Sequence, residues 1–160
     1  MKKALAVIIV SLAICTSISA CSQSEIQQKS NQTISSTLPV QDFVEPEEHG
    51  TSAYVDYLFY KAKSDAETAS DEELQAALDW LRNNVDNIFD NQKNMELAMY
   101  NGELLERKYK DSGNSFEMIG WQAYKTVKYV YREVESVDDQ STIDNYAELK
   151  VLLSSDENII

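Results

Sequence analysis

Trp121, Lys125, Lys128 and Arg132 follow one another at intervals of four, three and four residues. That spacing puts one aromatic ring and three cations on a single helical stripe. The stripe suits an acidic partner or a phosphate-bearing glycan, and Trp and Arg are residue types favoured at binding hot spots. It equally suits the solvated face of a bundle helix, with Glu135 pairing to Arg132 or Lys128 along the chain. The sequence leaves both readings open. The nine tyrosines add to the case for recognition, since Tyr offers contact area and a hydroxyl at low entropic cost. Arg107, Lys108 and Lys110 form a second cationic group, placed near a helix C-terminus where the dipole alone accounts for cations.

Carboxylates are the other groups able to do chemistry. Glu96, Glu103 and Glu106 share one predicted helix, with Glu96 and Glu103 two turns apart on one face, and two acids at suitable separation hydrolyse glycosides. Ordinary solvated helices have the same spacing, and nothing else in the chain indicates a substrate cleft. His49 is the only histidine, too few for a histidine metal site, and it falls in linker-like sequence. Asp138, Asp139 and Asp144 suit a loosely held cation or a helix N-terminus. From Asp86 onward the calcium-loop pattern fails at Ile88 and Leu97. No glycine-rich phosphate loop is present. The expectation is no catalytic residue, no metal and no cofactor.

The remaining reactive residue is Cys21. Lys2 and Lys3 precede an uncharged run, Ala4 to Ala20, which is the charge order of a secretory signal. Ile18-Ser19-Ala20-Cys21 resembles the lipobox of bacterial lipoproteins, with a branched apolar residue three before the cysteine and a small one just before it. The resemblance covers about the first twenty residues and implies a diacylglycerol on the Cys21 thiol, cleavage between Ala20 and Cys21, and a mature chain starting at Cys21. Cys15 fails the pattern because Ile14 precedes it. Ser22 is not the aspartate associated with inner-membrane retention in enterobacterial lipoproteins, which leaves an outer-membrane location open if the cell has two membranes. Two acyl chains, at about 0.8 kcal/mol per buried methylene, make release slow.

Loss of residues 1–20 leaves 12 Lys+Arg against 27 Asp+Glu, a net charge of −15. Nucleic acid is excluded as a partner, since phosphate binding needs a concentrated positive field. An anionic membrane would also repel the body. With Cys15 removed and Cys21 acylated, the mature body has no free thiol, which excludes disulfides and cysteine nucleophiles.

Residues 22–50 are rich in Ser, Gln, Asn, Thr and Glu and hold both prolines, Pro39 and Pro46. They read as a flexible tether of about 30 Å typical reach. Leu38, Val40, Phe43 and Val44 are apolar exceptions expected to dock on the domain. From Thr51 the apolar residues recur at helical spacing and proline is absent. Five helices are expected: about 52–69, one opening at the capping box Ser70–Glu73, about 92–111 with Asn91 as cap, about 115–135 after Gly113, and one following Asp138-Asp139 to about 153. Asn114–Glu117 has the form of a second capping box, and Ile88 and Phe89 are expected to plug the core between helices. Gly102 costs about 1 kcal/mol of helix stability relative to Ala, so close approach of a neighbouring helix is the expected compensation.

The chain thus divides into a signal peptide (1–20), a lipidated tether (21–50), a helical domain (51–155) and a tail (156–160). The fold class is all-α, a single bundle, with a short tetratricopeptide-like array as the alternative. The function that fits is a membrane-anchored, extracytoplasmic module that binds an envelope or surface protein without catalysis, of the accessory, adhesin or exclusion and immunity kind. A small-ligand carrier with a tyrosine-lined pocket and a carboxylate hydrolase are the competing classes.

Overall fold

The computed structural model describes residues 43–155, and all of them belong to one compact unit. Among them lie five α-helices: α1 (Ser52–Thr68), α2 (Asp71–Asn84), α3 (Gln92–Tyr109), α4 (Ser115–Tyr131) and α5 (Gln140–Leu153), with a 3-10 turn at Val85–Asn87. The described residues contain no strand. No described helix is long and apolar enough to cross a membrane. The signal segment, Cys21, Leu38, Val40 and the tail lie outside the described residues.

Helix starts follow their side chains. Thr51 Oγ1 accepts from the Tyr54 amide at 3.2 Å, and Asn91 Oδ1 accepts from Asn94 at 2.9 Å. At Ser70 the box is complete: Ser70 Oγ accepts from the Glu73 amide (3.3 Å) and Glu73 Oε2 accepts from the Ser70 amide (2.8 Å). Such caps contribute about 1 kcal/mol each. The second expected box is reduced to one bond, Phe116 N–H to Asn114 Oδ1 at 2.9 Å.

The bundle is centred on α3, which packs against α1, α2 and α4, while α5 packs on α4. Helices α1 and α2, which would form the first hairpin of a stacked array, both lie chiefly against α3. Leu74, Leu78 and Leu81 of α2, Met99 and Leu105 of α3, Ile119 and Val127 of α4 and Leu149 of α5 share one buried core. Ile88 is buried as a plug between α2 and α3. Phe89 is half-buried, its ring 5.6 Å from that of Tyr146. Tyr146 in turn donates to the Val85 carbonyl (3.2 Å), and Lys150 pairs with Asp86 (2.6 Å), tying α5 to the 3-10 turn.

Helices α3 and α4 touch backbone to backbone. A Cβ added to Gly102 would sit 2.7 Å from the Gly120 carbonyl oxygen and 3.0 Å from Ala123 Cβ; one added to Gly120 would collide with the Gly102 carbonyl oxygen and lie 2.5 Å from the Glu106 nitrogen. The glycine that costs helix propensity on α3 is thus matched by a second on α4.

Two features depart from the sequence reading. Helix α4 ends at Tyr131, four residues early, because Glu133 takes a left-handed backbone (φ 56°). The amides of Glu133 and Val134 donate to the carbonyls of Val130 and Tyr129 (both 2.9 Å) and close the turn. Val134, beyond this turn, is 66% exposed.

Residues 43–50, read as the end of a linker, lie against the helices. The Phe43 ring stacks on Tyr60 at 5.6 Å, while Val44 is exposed. Tyr54 donates to Glu45 (2.6 Å) and stacks on His49 at 4.0 Å. The Gly50 amide donates to the Tyr131 hydroxyl (2.9 Å), which donates to Glu96 (2.7 Å), and His49 Nδ1 is 2.7 Å from the same Glu96 oxygen.

At an exposed helical site Gly→Ala is stabilising by about 1 kcal/mol; at the α3–α4 contact the sign reverses. Gly120→Ala is expected to destabilise the domain by about 3 kcal/mol through overpacking against backbone that has no rotamer to yield. Urea unfolding followed by circular dichroism measures it, and a stabilised variant would contradict the contact.

Candidate functional site: the outer ridge of α4

Gly113 (φ 70°) ends the turn after α3 and Asn114 caps α4. Ile119, Gly120, Ala123 and Val127 commit one face of α4 to the core. The opposite face carries the stripe. Trp121 is 46% exposed and Met118, one turn earlier, is 56% exposed; Lys125 and Lys128 are half-buried.

Lys128 is held among rings. Its Nζ lies 4.9 Å from the Tyr129 centroid, 5.0 Å from Tyr124 and 5.5 Å from Trp121, within the range at which a ring quadrupole attracts a cation. Arg132 is the C-cap of α4 rather than part of it. Its Nε donates to the Lys128 carbonyl (3.2 Å), its Nη1 to Ser52 Oγ (3.3 Å), and its guanidinium lies over Tyr129 at 5.1 Å.

Among the described residues no carboxylate forms an ion pair with Lys125, Lys128 or Arg132. Glu135, the partner expected from spacing, is carried off the helix face by the Glu133 turn. Its Oε2 accepts instead from Ser141 Oγ (3.0 Å) and Thr142 Oγ1 (3.1 Å) at the start of α5. The ridge is therefore an aromatic and cationic surface on an acidic protein, with its positive charges free of carboxylates. Met118 and Tyr129 belong to it as well, and the buried Tyr124 ring lies beneath Lys128. Their i−3, i+3 and i+8 offsets from Trp121 were readable, but the cations drew the stripe elsewhere.

Two of the three cations in the second group are engaged. Arg107 pairs with Glu103 and lies over the Phe59 ring at 4.5 Å, and Lys108 donates to the Ala69 carbonyl (2.9 Å).

The three acids of α3 separate into two settings. Glu96 meets His49 and Tyr131, whereas Glu103, only 1% exposed, takes Arg107. Glu103 Oε2 and Glu106 Oε2 are both buried without a hydrogen-bond partner. Burial pushes the Glu103 carboxyl up to about 7; the Arg107 hydrogen bond opposes this, and the nearby Glu106 charge adds to it. Burial likewise pushes the neighbouring Tyr124 phenol up to about 12, helped by Glu103 and Asp56. At the head of α5, Asp139 accepts from the Ser136 amide (2.7 Å) and Asp144 from the Gln140 amide group (2.7 Å). No group of three or more His, Cys, Asp or Glu residues among the described residues is placed to hold a metal ion.

The class these observations define is an all-α bundle with an exposed aromatic and cationic ridge. No family model, curated protein or solved structure matches the chain significantly.

Folded Glu103 keeps its proton to about pH 7, while the unfolded chain releases it near 4.5. Between those values the unfolded state binds fewer protons, so the contribution is full at and below 4.5 and is lost as pH rises to 7. Thermal unfolding across this window is expected to give a Tm that falls with pH in the parent and is flatter in Glu103→Gln. Parallel curves would refute the protonated, buried carboxyl.

Proposed function

We propose that the chain is a bacterial lipoprotein, cut between Ala20 and Cys21 and anchored by a diacylglycerol on Cys21 at the extracytoplasmic face of the membrane. Its helical body acts without catalysis or cofactor, by binding another envelope or surface protein through Trp121, Lys125, Lys128 and Arg132. The anchor reading is supported by the order Lys2-Lys3, apolar run, Ile18-Ser19-Ala20-Cys21. The binding reading is carried by one observation, the half-buried Lys128 ammonium set among three rings with no carboxylate to neutralise it.

A partner with an acidic, aromatic-accepting surface answers that arrangement. Its carboxylates meet Lys125, Lys128 and Arg132, and the exposed faces of Trp121 and Met118 supply desolvated apolar area. The net charge of the rest of the body repels acidic molecules in general, so attraction is confined to the ridge. Local complementarity of this kind gives specificity and orientation rather than raw affinity.

Two measurements test the halves of the proposal separately. Cys21→Ser is expected to abolish labelling by a radioactive fatty acid and to move the protein out of the membrane fraction; retention of label in the variant would overturn the anchor. A photoreactive residue replacing Trp121 or Lys128 in living cells is expected to capture one partner that the same residue at exposed Glu72 does not. Trp121→Ala should then weaken that complex about 30-fold, near 2 kcal/mol for a central aromatic contact. Identical capture at Glu72, or none at the ridge, would return the ridge to a solvated helix face.

A further inference from the structure

On the side of the bundle away from α4, the helices α1, α2 and α3 enclose a cleft of about 540 Å³ that opens to solvent. This falls within the size range of small-molecule sites. Its chemistry is uneven. Asp65 of α1 and Glu73 of α2 supply carboxylates, Trp80 and Tyr100 supply rings, Leu104 lies in its apolar lining and Asn101 adds an amide; the other lining residues are alanines, a leucine and a threonine.

Asn101 is the telling residue. It is only 8% exposed, yet its carboxamide has no hydrogen-bond partner among the described residues. Asn101 lies in the lining of the cleft. A donor and an acceptor are thus presented to whatever enters.

The protein itself demonstrates which ions this wall accepts. The Lys61 ammonium sits 2.5 Å from Asp65 Oδ2 and 5.1 Å from the Tyr100 ring centre, and the Tyr100 hydroxyl donates to the same Asp65 oxygen at 2.6 Å. Burial opposes ionisation of Asp65, but the bonds from Lys61 and Tyr100 outweigh it and hold the carboxyl below its ordinary range. Lys61 offsets one of the two carboxylates in the lining. Glu73 remains, with Oε2 engaged by Ser70. Lys108, near the lining residue Ala69, is turned to that residue's carbonyl.

We propose that this cleft binds an organic ammonium ion with an apolar body: the cationic head between Glu73 and the Trp80 and Tyr100 rings, the body against Leu104, and a polar group on the Asn101 amide. Carboxylate and aromatic faces together are the recognition chemistry of alkylammonium groups. The site lies on different elements from the α4 ridge and requires neither the anchor nor the partner proposed above.

Trp80 is one of two tryptophans, so Trp121→Phe in the full chain, held in nonionic detergent, leaves a single fluorophore in the cleft. Titration with benzyltrimethylammonium is expected to change Trp80 emission saturably, and more tightly than with neutral benzyl alcohol. Combining Asp65→Asn with Glu73→Gln, which keeps the reach to Ser70, should weaken the ammonium about tenfold and leave the alcohol unchanged. Asn101→Leu, judged on a variant whose Tm matches the parent, should weaken an ammonium bearing a hydroxyl more than benzyltrimethylammonium. A linear, unsaturable response, equal affinity for the charged and neutral probes, or indifference to the double variant would each overturn the proposal.

Discussion

The close approach of α3 and α4 at Gly102 and Gly120 is the constraint on which the rest of the bundle depends. Helices that touch through glycine leave no side-chain layer between them, so their flanking residues interlock at short range. Ala98, Leu105, Ala123 and Val127 close the interior on either side of the contact. The same proximity turns the charged neighbours of Gly102 into buried ones. Glu103 is drawn below the surface by its place beside the crossing, and its carboxyl responds by holding a proton where solvent would remove it.

From that crossing follows the division of labour on α4. Because one face is fixed against α3, the opposite face has a defined direction, and its cations stand at set heights above the surface. Lys128 rests on rings instead of carboxylates, which restricts the freedom of its side chain. The turn at Glu133 matters as much, since it removes Glu135 from the helix face. A chain that continued as helix would have brought a neutralising charge alongside the ridge.

Much of this architecture was legible in the sequence because it rests on local signals. Ser70 and Glu73 stand three apart and form the box they suggest; Asn91 and Asn114 cap the helices they precede; Ile88 plugs the core. Gly102 announced a close contact, although its counterpart Gly120 is visible only once the helices are paired. The early end of α4 was not legible, because the left-handed turn falls on a glutamate rather than a glycine. Docking was expected for Phe43 and Val44, and Phe43 does stack on Tyr60 while Val44 stays exposed; the attachment of residues 45–50 was hidden for a different reason. Its holds are single polar contacts from His49, Gly50 and Glu45 to Glu96, Tyr131 and Tyr54, which have no periodicity. Nor do spacings reveal the cleft, whose walls come from three helices.

The segment Phe43–Gly50 has a mechanical meaning beyond its contribution to packing. Its attachments run to α1 through Tyr54 and Tyr60, to α3 through Glu96 and to α4 through Tyr131. Tension arriving along the chain from its N-terminal side is therefore divided among three helices before it reaches the first turn of α1. The entry of the chain into the bundle is thus held at several points rather than by the first turn of α1 alone.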